Sequence, residues 1–265
     1  MVNLTIGGGS FKGLAFLGSL EYLHSQNYLE VIENFHGASI GSLIGIMYII
    51  GYKPIELFEI LLGKNFEELW DLSFQNLDRN YSLLSSSFFE YFESIFSKRE
   101  NNIDITLEQF YNKYDVNINI YSVSINNRSM VNFNRNTFPE LKVVTAIRAS
   151  CSIPIIFPPV KINDIYYIDG CIKSIQDDNI LPKDRGYIIR LNQNYDEIDS
   201  FTGYISEIVK CILINNEIKT TKNTLDIELN SGYSNKISFN DITESDKIQL
   251  FYEGLIQAKT RFETI

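Results

Sequence analysis

The stretch Asn34-Phe35-His36-Gly37-Ala38-Ser39-Ile40-Gly41-Ser42-Leu43 decides how this chain folds. An apolar run, Val31 to His36, reads as a strand; Ser42 to Ile50 is a helical apolar run; between them lies the pentapeptide Gly37-Ala38-Ser39-Ile40-Gly41. A GxSxG sequence has chemical meaning when it sits at a tight strand-to-helix turn. The turn forces the serine into a strained backbone conformation, and a glycine two residues to either side avoids the clash a side chain would make. The serine oxygen then stands exposed at the start of a helix, where the backbone dipole favours developing negative charge. Ser39 is therefore the candidate nucleophile, with Gly37 and Gly41 as its supporting positions.

The same strand, turn and helix sequence occurs just upstream. Val2 to Ile6 is a buried strand, broken by Gly7, Gly8 and Gly9, and Leu14 to Leu23 has helical periodicity. Two such units within fifty residues predict parallel strands joined by crossover helices, hence an α/β fold. Pro54 starts a further helix, to Leu62. The aromatic stretch from Phe66 to Phe96, with Phe66, Trp70, Phe74, Phe88, Phe89, Phe92 and Phe96, is broken by a Ser85-Ser86-Ser87 run and reads as helical with loosely defined limits. Strands follow at Val116 to Ile125 and Met130 to Phe133, paired across Asn126-Asn127. Lys142 to Ser150 is helical. Val160 to Ile168 forms a hairpin turning at Asn163-Asp164. Tyr187 to Leu191 and Leu225 to Leu229 are core strands. Thr243, with Asp246 three residues on, opens a last helix to about Phe262, with a solvated charged face over an apolar stripe. The expected organisation is one α/β domain over residues 1–265 with a helical insertion at about 54–110.

Composition narrows the function. The chain has 265 residues, 45% hydrophobic and 21% charged, enough for a sizeable core. Its 23 basic and 33 acidic residues give a net charge of −10, which argues against nucleic acid as a partner and against electrostatic adsorption to an anionic membrane. A local apolar, transient contact with a membrane surface is not excluded. Cys151, Cys171 and Cys211 are an odd, scattered set that reads as free thiols in a reducing compartment. No signal peptide opens the chain and no apolar run is long enough to span a bilayer, so the expectation is an intracellular protein.

A nucleophilic serine needs a base, and the only histidines are His24 and His36. A Ser-Asp-His order of the α/β-hydrolase kind would place the histidine after the serine, where none exists. His36 lies on the strand entering the turn and is expected to pack or bond locally; His24 is expected at the surface. The base must then be a carboxylate, a lysine or a cysteine. The first glycine turn, Gly7-Gly8-Gly9-Ser10-Phe11-Lys12-Gly13, can present backbone N–H groups to an anion. It lacks the Lys-Ser/Thr of a P-loop, and Lys12 stands where a dinucleotide fingerprint has its third glycine. An oxyanion hole is the other use of this geometry.

Together these residues resemble the patatin-like phospholipases. Members carry a GGGx(R/K)G turn, then GxSxG, then a much later Asp-Gly-Gly or Asp-Gly-Ala. Here the turn is Gly8 to Gly13, with Ser10 in the third glycine position, and the late element is Asp169-Gly170-Cys171. Ala146 to Pro154 and Phe157-Pro158-Pro159-Val160 are similar to the family's segment before that aspartate. The resemblance covers about residues 2–176. It implies a three-layer α/β/α sandwich with a mostly parallel sheet, and a lipid acyl hydrolase of phospholipase A or lysophospholipase type. Ser39 and Asp169 would form a catalytic dyad acting through an acyl-enzyme, with the amides around Gly8, Gly9 and Ser10 as oxyanion hole and Gly7, Lys12, Gly13, Gly37, Gly41 and Gly170 as supporting motif. No cofactor or metal is implied, and calcium is not expected to be needed, since no EF-hand-like acidic loop accompanies the motifs. Departures from the family pattern lie at Ser10, Cys171, Ser174 and Gln176. The aromatic stretch would either cap the site or face the core. Two alternatives stay open: a catalytically silent patatin fold that binds lipid or protein, and a nucleotide-binding α/β protein using the first glycine turn.

Overall fold

The computed structural model describes residues 2–69, 71–172, 186–192, 204, 223–229 and 242–263. Trp70, Ser174, Gln176 and Cys211 lie outside the described residues.

Strand β1 (Val2–Ile6) enters the first glycine turn, a 3-10 turn Ser10–Lys12 follows, and helix α1 (Gly13–Ser25) leads to β2 (Ile32–Ala38). Helix α2 (Ile40–Ile49) starts directly after Ser39. Every residue of α2 from Ile40 to Met47 is buried, as expected of a helix that is apolar all round. Helix α3 (Pro54–Leu62) has proline at its first position, where no N–H is missed. Its last carbonyls are covered from elsewhere in the chain: the buried Lys247 ammonium donates to Leu61, Leu62 and Lys64 oxygens at 3.0–3.2 Å.

The aromatic stretch is helical in pieces, broken around the serine run as its sequence suggests. It divides into a 3-10 turn (Phe66–Leu69), a short α4 (Gln75–Asn80) and α5 (Ser87–Arg99), with Ser82 bridged to Ile155 between them. Tyr81 ends α4 with left-handed backbone, and the Ser85-Ser86-Ser87 run bonds to itself and to Asp71 instead of continuing a helix. Phe66, Phe88, Phe89, Phe92 and Phe96 face the core; Phe74 does not.

Helix α6 (Leu107–Tyr114) precedes β3 (Asn117–Ser124), which turns back into β4 (Ser129–Phe133). Helix α7 (Val143–Ser150) is followed by the hairpin β5 (Val160–Ile162) and β6 (Ile165–Asp169). Asn163 and Asp164 both have positive φ, 49° and 63°, the primed turn those residue types favour. Strands β7 (Gly186–Leu191) and β8 (Thr224–Ile227) and helix α8 (Glu244–Phe262) complete the described chain. Thr243 and Asp246 form the expected capping box of α8. The outer face of α8 is less uniformly polar than its charge suggests, since Ile248, Tyr252 and Ile256 recur on it four residues apart and exposed.

The eight strands of the described residues form one mixed sheet in the order β5-β6-β3-β2-β1-β7-β8, with β4 on β3, and helices on both sides. The β1/β2, β2/β3, β1/β7 and β7/β8 pairs are parallel, whereas β4, β5 and β6 join antiparallel. Strand β3 uses its edges unequally. One edge takes β4; the other takes β2 along Asn117–Tyr121 and then β6 along Ser122–Ser124. Ala38 at the end of β2 lies opposite Tyr121, and Asp169 at the end of β6 lies opposite Ser122. The carboxyl ends of β2 and β6 therefore meet head-on along β3, and that junction positions the site.

Candidate active site

Ser39 stands between β2 and α2 with φ 51° and ψ −136°, a strained conformation for a residue with a β-carbon. The turn is tight because its neighbours have no side chains. A β-carbon at Gly41 would lie 2.2 Å from the Gly7 carbonyl oxygen, and one at Gly37 would lie 2.6 Å from the Ser42 Cα. Ser42 closes the turn from inside, its hydroxyl donating to the Ser39 carbonyl at 2.7 Å.

The Ser39 hydroxyl donates to Asp169 Oδ2 at 2.6 Å. Both side chains are buried, Ser39 at 6% and Asp169 at 3% relative exposure, so the serine oxygen is not exposed as the bare turn geometry suggests. Asp169 Oδ1 accepts the Cys171 N–H at 2.8 Å. Burial pushes the Asp169 carboxyl up from 3.8 to about 6, against the opposing pull of the hydrogen bonds from Ser39 and Cys171. A carboxylate so placed is a better proton acceptor near neutral pH than one in water.

Three serines hold this pair. The Ser39 N–H donates to Ser150 Oγ at 2.9 Å, and the Ser150 hydroxyl donates to the Tyr121 carbonyl at 2.6 Å. The Asp169 N–H donates to the Ser152 carbonyl at 2.8 Å. The Ser122 hydroxyl donates to the Ile168 carbonyl at 2.7 Å. The end of α7 and the residues after it thus fasten both partners to β3. Sequence reasoning assigned Ser150 and Ser152 no role; the available signal was a run of small residues, Ser150-Cys151-Ser152, buried where an amphipathic helix ends.

The first glycine turn packs on the pair. A β-carbon at Gly8 would lie 2.2 Å from the Cys171 sulfur and 3.1 Å from Ser39 Cβ, so the turn approaches the serine only because Gly8 has none. The Gly8 N–H faces the Cys171 sulfur, whose thiol is pushed well up by burial and by Asp169. Gly7 is held on β7, its N–H donating to Ile189 O at 2.9 Å. The Gly9 carbonyl accepts the Lys12 N–H at 3.0 Å, Ser10 takes left-handed backbone with φ 51°, and Gly13 begins α1. Gly170 opens a 3-10 turn to Ile172 against the Tyr121 carbonyl.

The other singled-out residues have local partners. His36 Nδ1 lies 2.8 Å from the Tyr121 hydroxyl, the two rings stack, and burial lowers the imidazole to about 4, so it stays neutral. His24 is half-buried, not a surface residue, because Tyr48 takes its Nδ1 at 3.0 Å. Arg148 pairs with Glu93 at 2.5 Å and lies over the Phe89 ring, linking α7 to α5. Cys151 and Cys171 are free thiols. Among the described residues no cluster of metal-ligating side chains occurs, and no helix is long and apolar enough to cross a membrane.

Comparison with known proteins agrees with the motifs. A family model described as patatin-like phospholipase matches residues 4–174. A probable lipid hydrolase of Invertebrate iridescent virus 6 is 30% identical over 176 residues, 63% of this chain and 58% of that protein. An uncharacterized protein of Acanthamoeba polyphaga mimivirus is 27% identical over 174 residues, 63% of this chain and 57% of that protein. The chain thus matches less than three-fifths of the length of either relative. Among solved structures, VipD from Legionella pneumophila superposes with a TM-score of 0.59 at 13% identity, covering 99% of this chain and 67% of that one. The type III effector ExoU of Pseudomonas aeruginosa gives 0.57 at 13% identity, covering 99% and 53%. At that identity the two structures establish the fold alone.

Proposed function

Because the chain belongs to the patatin-like phospholipase family, we propose that it is a lipid acyl hydrolase in which Ser39 is the nucleophile and Asp169 its base. The observation that carries this reading is the 2.6 Å hydrogen bond from the Ser39 hydroxyl to a buried carboxylate, at the mouth of a strained turn and the start of α2.

Ser39 Oγ attacks the ester carbonyl carbon, its proton passing to Asp169, and the carbonyl electron pair becomes an oxyanion. The amides of Gly8, Gly9 and Ser10 receive that charge. The Gly8 N–H now faces a neutral sulfur, a weak acceptor, which an oxyanion displaces. Collapse of the intermediate expels the alcohol, which takes the proton from Asp169. Water then attacks the acyl-enzyme with Asp169 again as base, releasing a carboxylic acid and restoring Ser39. No step calls on histidine or on a metal ion. The substrates are glycerophospholipid or lysophospholipid esters.

The family and the named viral lipid hydrolase support the substrate class. The close approach of Gly8 to Ser39 favours an oxyanion over a nucleotide phosphate at the first glycine turn. The test is an activity screen on defined phospholipids and lysophospholipids in the presence of chelator, with Ser39→Ala as control. Acyl release that Ser39→Ala abolishes supports the reading. A folded wild-type chain that hydrolyses none of them and does not react with a serine-directed phosphonate returns it to a silent binding fold.

A further inference from the structure

We propose that an exposed apolar patch beside the site docks this protein on a lipid bilayer, an inference that rests on the lipid-hydrolase reading above. Leu72, Phe74, Tyr81, Ile125 and Ile155 are among the largest exposed apolar side chains of the described chain, Phe74 at 76%. They come from three separate segments that the backbone ties side by side. The Ser73 N–H donates to Leu83 O at 2.8 Å and the Leu83 N–H to Ile155 O at 2.6 Å. The Tyr81 ring meets the Tyr166 ring edge-on at 6.2 Å, and the Ile125 N–H donates to Tyr166 O at 2.9 Å. Beneath them Leu83, Leu84 and Phe157 are buried, so the patch rests on core and not on a loose loop.

Two features argue that the exposure is purposeful. Tyr81 and Ile155 both have left-handed backbone, φ 60° and 71°, where glycine or asparagine would remove strain and exposed apolar surface together. A β-branched residue in that region is a marked outlier, and this one turns an isoleucine outward. The patch also adjoins the dyad along two routes. Tyr166 is three residues before Asp169 on β6, about 10 Å of strand, and Ile155 is three residues after Ser152, whose carbonyl holds the Asp169 N–H.

The occupant follows from charge and residue type. Segments 71–81, 125–128 and 153–166 carry Asp71, Asp78, Asp164, Arg79, Arg128 and Lys161, three of each sign, in a chain whose net charge is −10. The patch is thus locally neutral, free of the charge that disfavours approach of this chain to anionic surfaces. Tyr81 and Tyr166 flank it with rings that suit a headgroup region, apolar in body and polar at the tip. A neutral, aromatic-edged apolar surface next to a lipid-ester site fits the interface of a phosphatidylcholine bilayer.

The test uses Leu72→Ser with Phe74→Ser, and separately Tyr81→Asn, which suits left-handed backbone. Each is made in the wild-type and the Ser39→Ala chain. Partition of the Ser39→Ala chain onto phosphatidylcholine vesicles should fall at least about tenfold in the double variant. Hydrolysis of a monomeric short-chain p-nitrophenyl ester should stay within about twofold while hydrolysis of vesicle lipid falls with binding. Failure of the unmutated chain to bind vesicles overturns the proposal. So does unchanged partition of folded variants, or a wild-type dimer in sedimentation equilibrium that the variants dissociate, which makes a second copy the occupant. If partition falls but no ester is hydrolysed by any chain, the docking surface stands and the hydrolase reading fails. If esters are hydrolysed and partition is unchanged, the reverse holds.

Discussion

Ser39 is delivered by β2, a strand with parallel partners on both sides, and is pinned between that strand and α2, buried from Ile40 to Met47. Asp169 is delivered by β6, the second strand of a hairpin that joins the sheet antiparallel at β3. One arm is shaped by five residues, with Gly41 crowded against the Gly7 carbonyl and the Ser39 N–H fastened by Ser150. The other depends on where a distant hairpin docks, and its aim is set by Ser122, Ser152 and the register of three residue pairs. On the proposed assignment, the nucleophile is thus shaped mainly by its own turn, whereas its base is a product of topology. The Ser39 arm should tolerate side-chain truncation and lose only chemistry; the Asp169 arm should couple chemistry to charge.

The largest expected effect tests the first half of that contrast. Ser39→Ala should lower ester turnover to background, a loss on the order of 10⁴-fold or more, while thermal unfolding stays within a few degrees of wild type or rises as strain is relieved. Rate and melting temperature measured on one preparation decide it, and retained turnover means that the nucleophile is elsewhere. Next in size, Asp169→Asn keeps the shape but removes the proton acceptor, and should cost at least about 10²-fold in turnover. The His24→Gln, His36→Gln double variant should remain within about tenfold of wild type, because both rings bond tyrosines and His36 is neutral. A folded but dead histidine variant beside an active Asp169→Asn would falsify the carboxylate assignment.

The same contrast explains what was legible in the sequence. GxSxG between two apolar runs located the elbow, and the glycines proved to be where a β-carbon meets backbone. Local turn chemistry also gave the Asn163-Asp164 hairpin and the Thr243 cap, each determined by residues within a few positions. The pairing of Ser39 with Asp169 came only through family resemblance, since no spacing rule joins residues 130 apart. In the aromatic stretch the Ser85-Ser86-Ser87 break was legible, whereas the Ser82–Ile155 bridge, a contact with a segment some seventy residues away, was not. The small-residue run marked Ser150 only weakly, and its role stayed hidden for a different reason. Its hydroxyl matters through backbone groups of two other elements, and a sequence shows neither.

Ser150 gives a sharper probe of the junction between the arms. Ser150→Ala leaves both dyad side chains in place but removes the acceptor of the Ser39 N–H and the donor to Tyr121 O. An orphaned buried N–H costs about 1–3 kcal/mol of stability. The elbow, no longer tied to β3, should react about tenfold more slowly, read as lower kcat and slower phosphonate labelling with KM unchanged. A variant that raises KM alone would assign Ser150 to the binding of substrate and not to the setting of the nucleophile.

The smallest effect is a pH dependence that separates the arms by charge. With its carboxyl at about 6, Asp169 is half-protonated there, so kcat/KM should be halved near pH 6 and fall about tenfold per unit below it. The stability effect has the opposite sign. The folded state raises this acid from 3.8, so it binds the proton more tightly than the unfolded chain does. Stability from the neutral carboxyl is therefore fully present below about pH 3.8 and is lost as pH rises through about 6. Asp169→Asn carries no charge to lose, so its melting temperature should gain on wild type between pH 4 and 7 and level off above that. Ser39→Ala should move the same crossover upward, because the Ser39 hydroxyl is the strongest of the hydrogen bonds that hold the carboxyl down. Melting curves of the three chains across that range, at constant ionic strength, read both shifts. Parallel curves for wild type and Asp169→Asn would mean that the carboxyl at the end of β6 is not the buried, raised group on which the dyad depends.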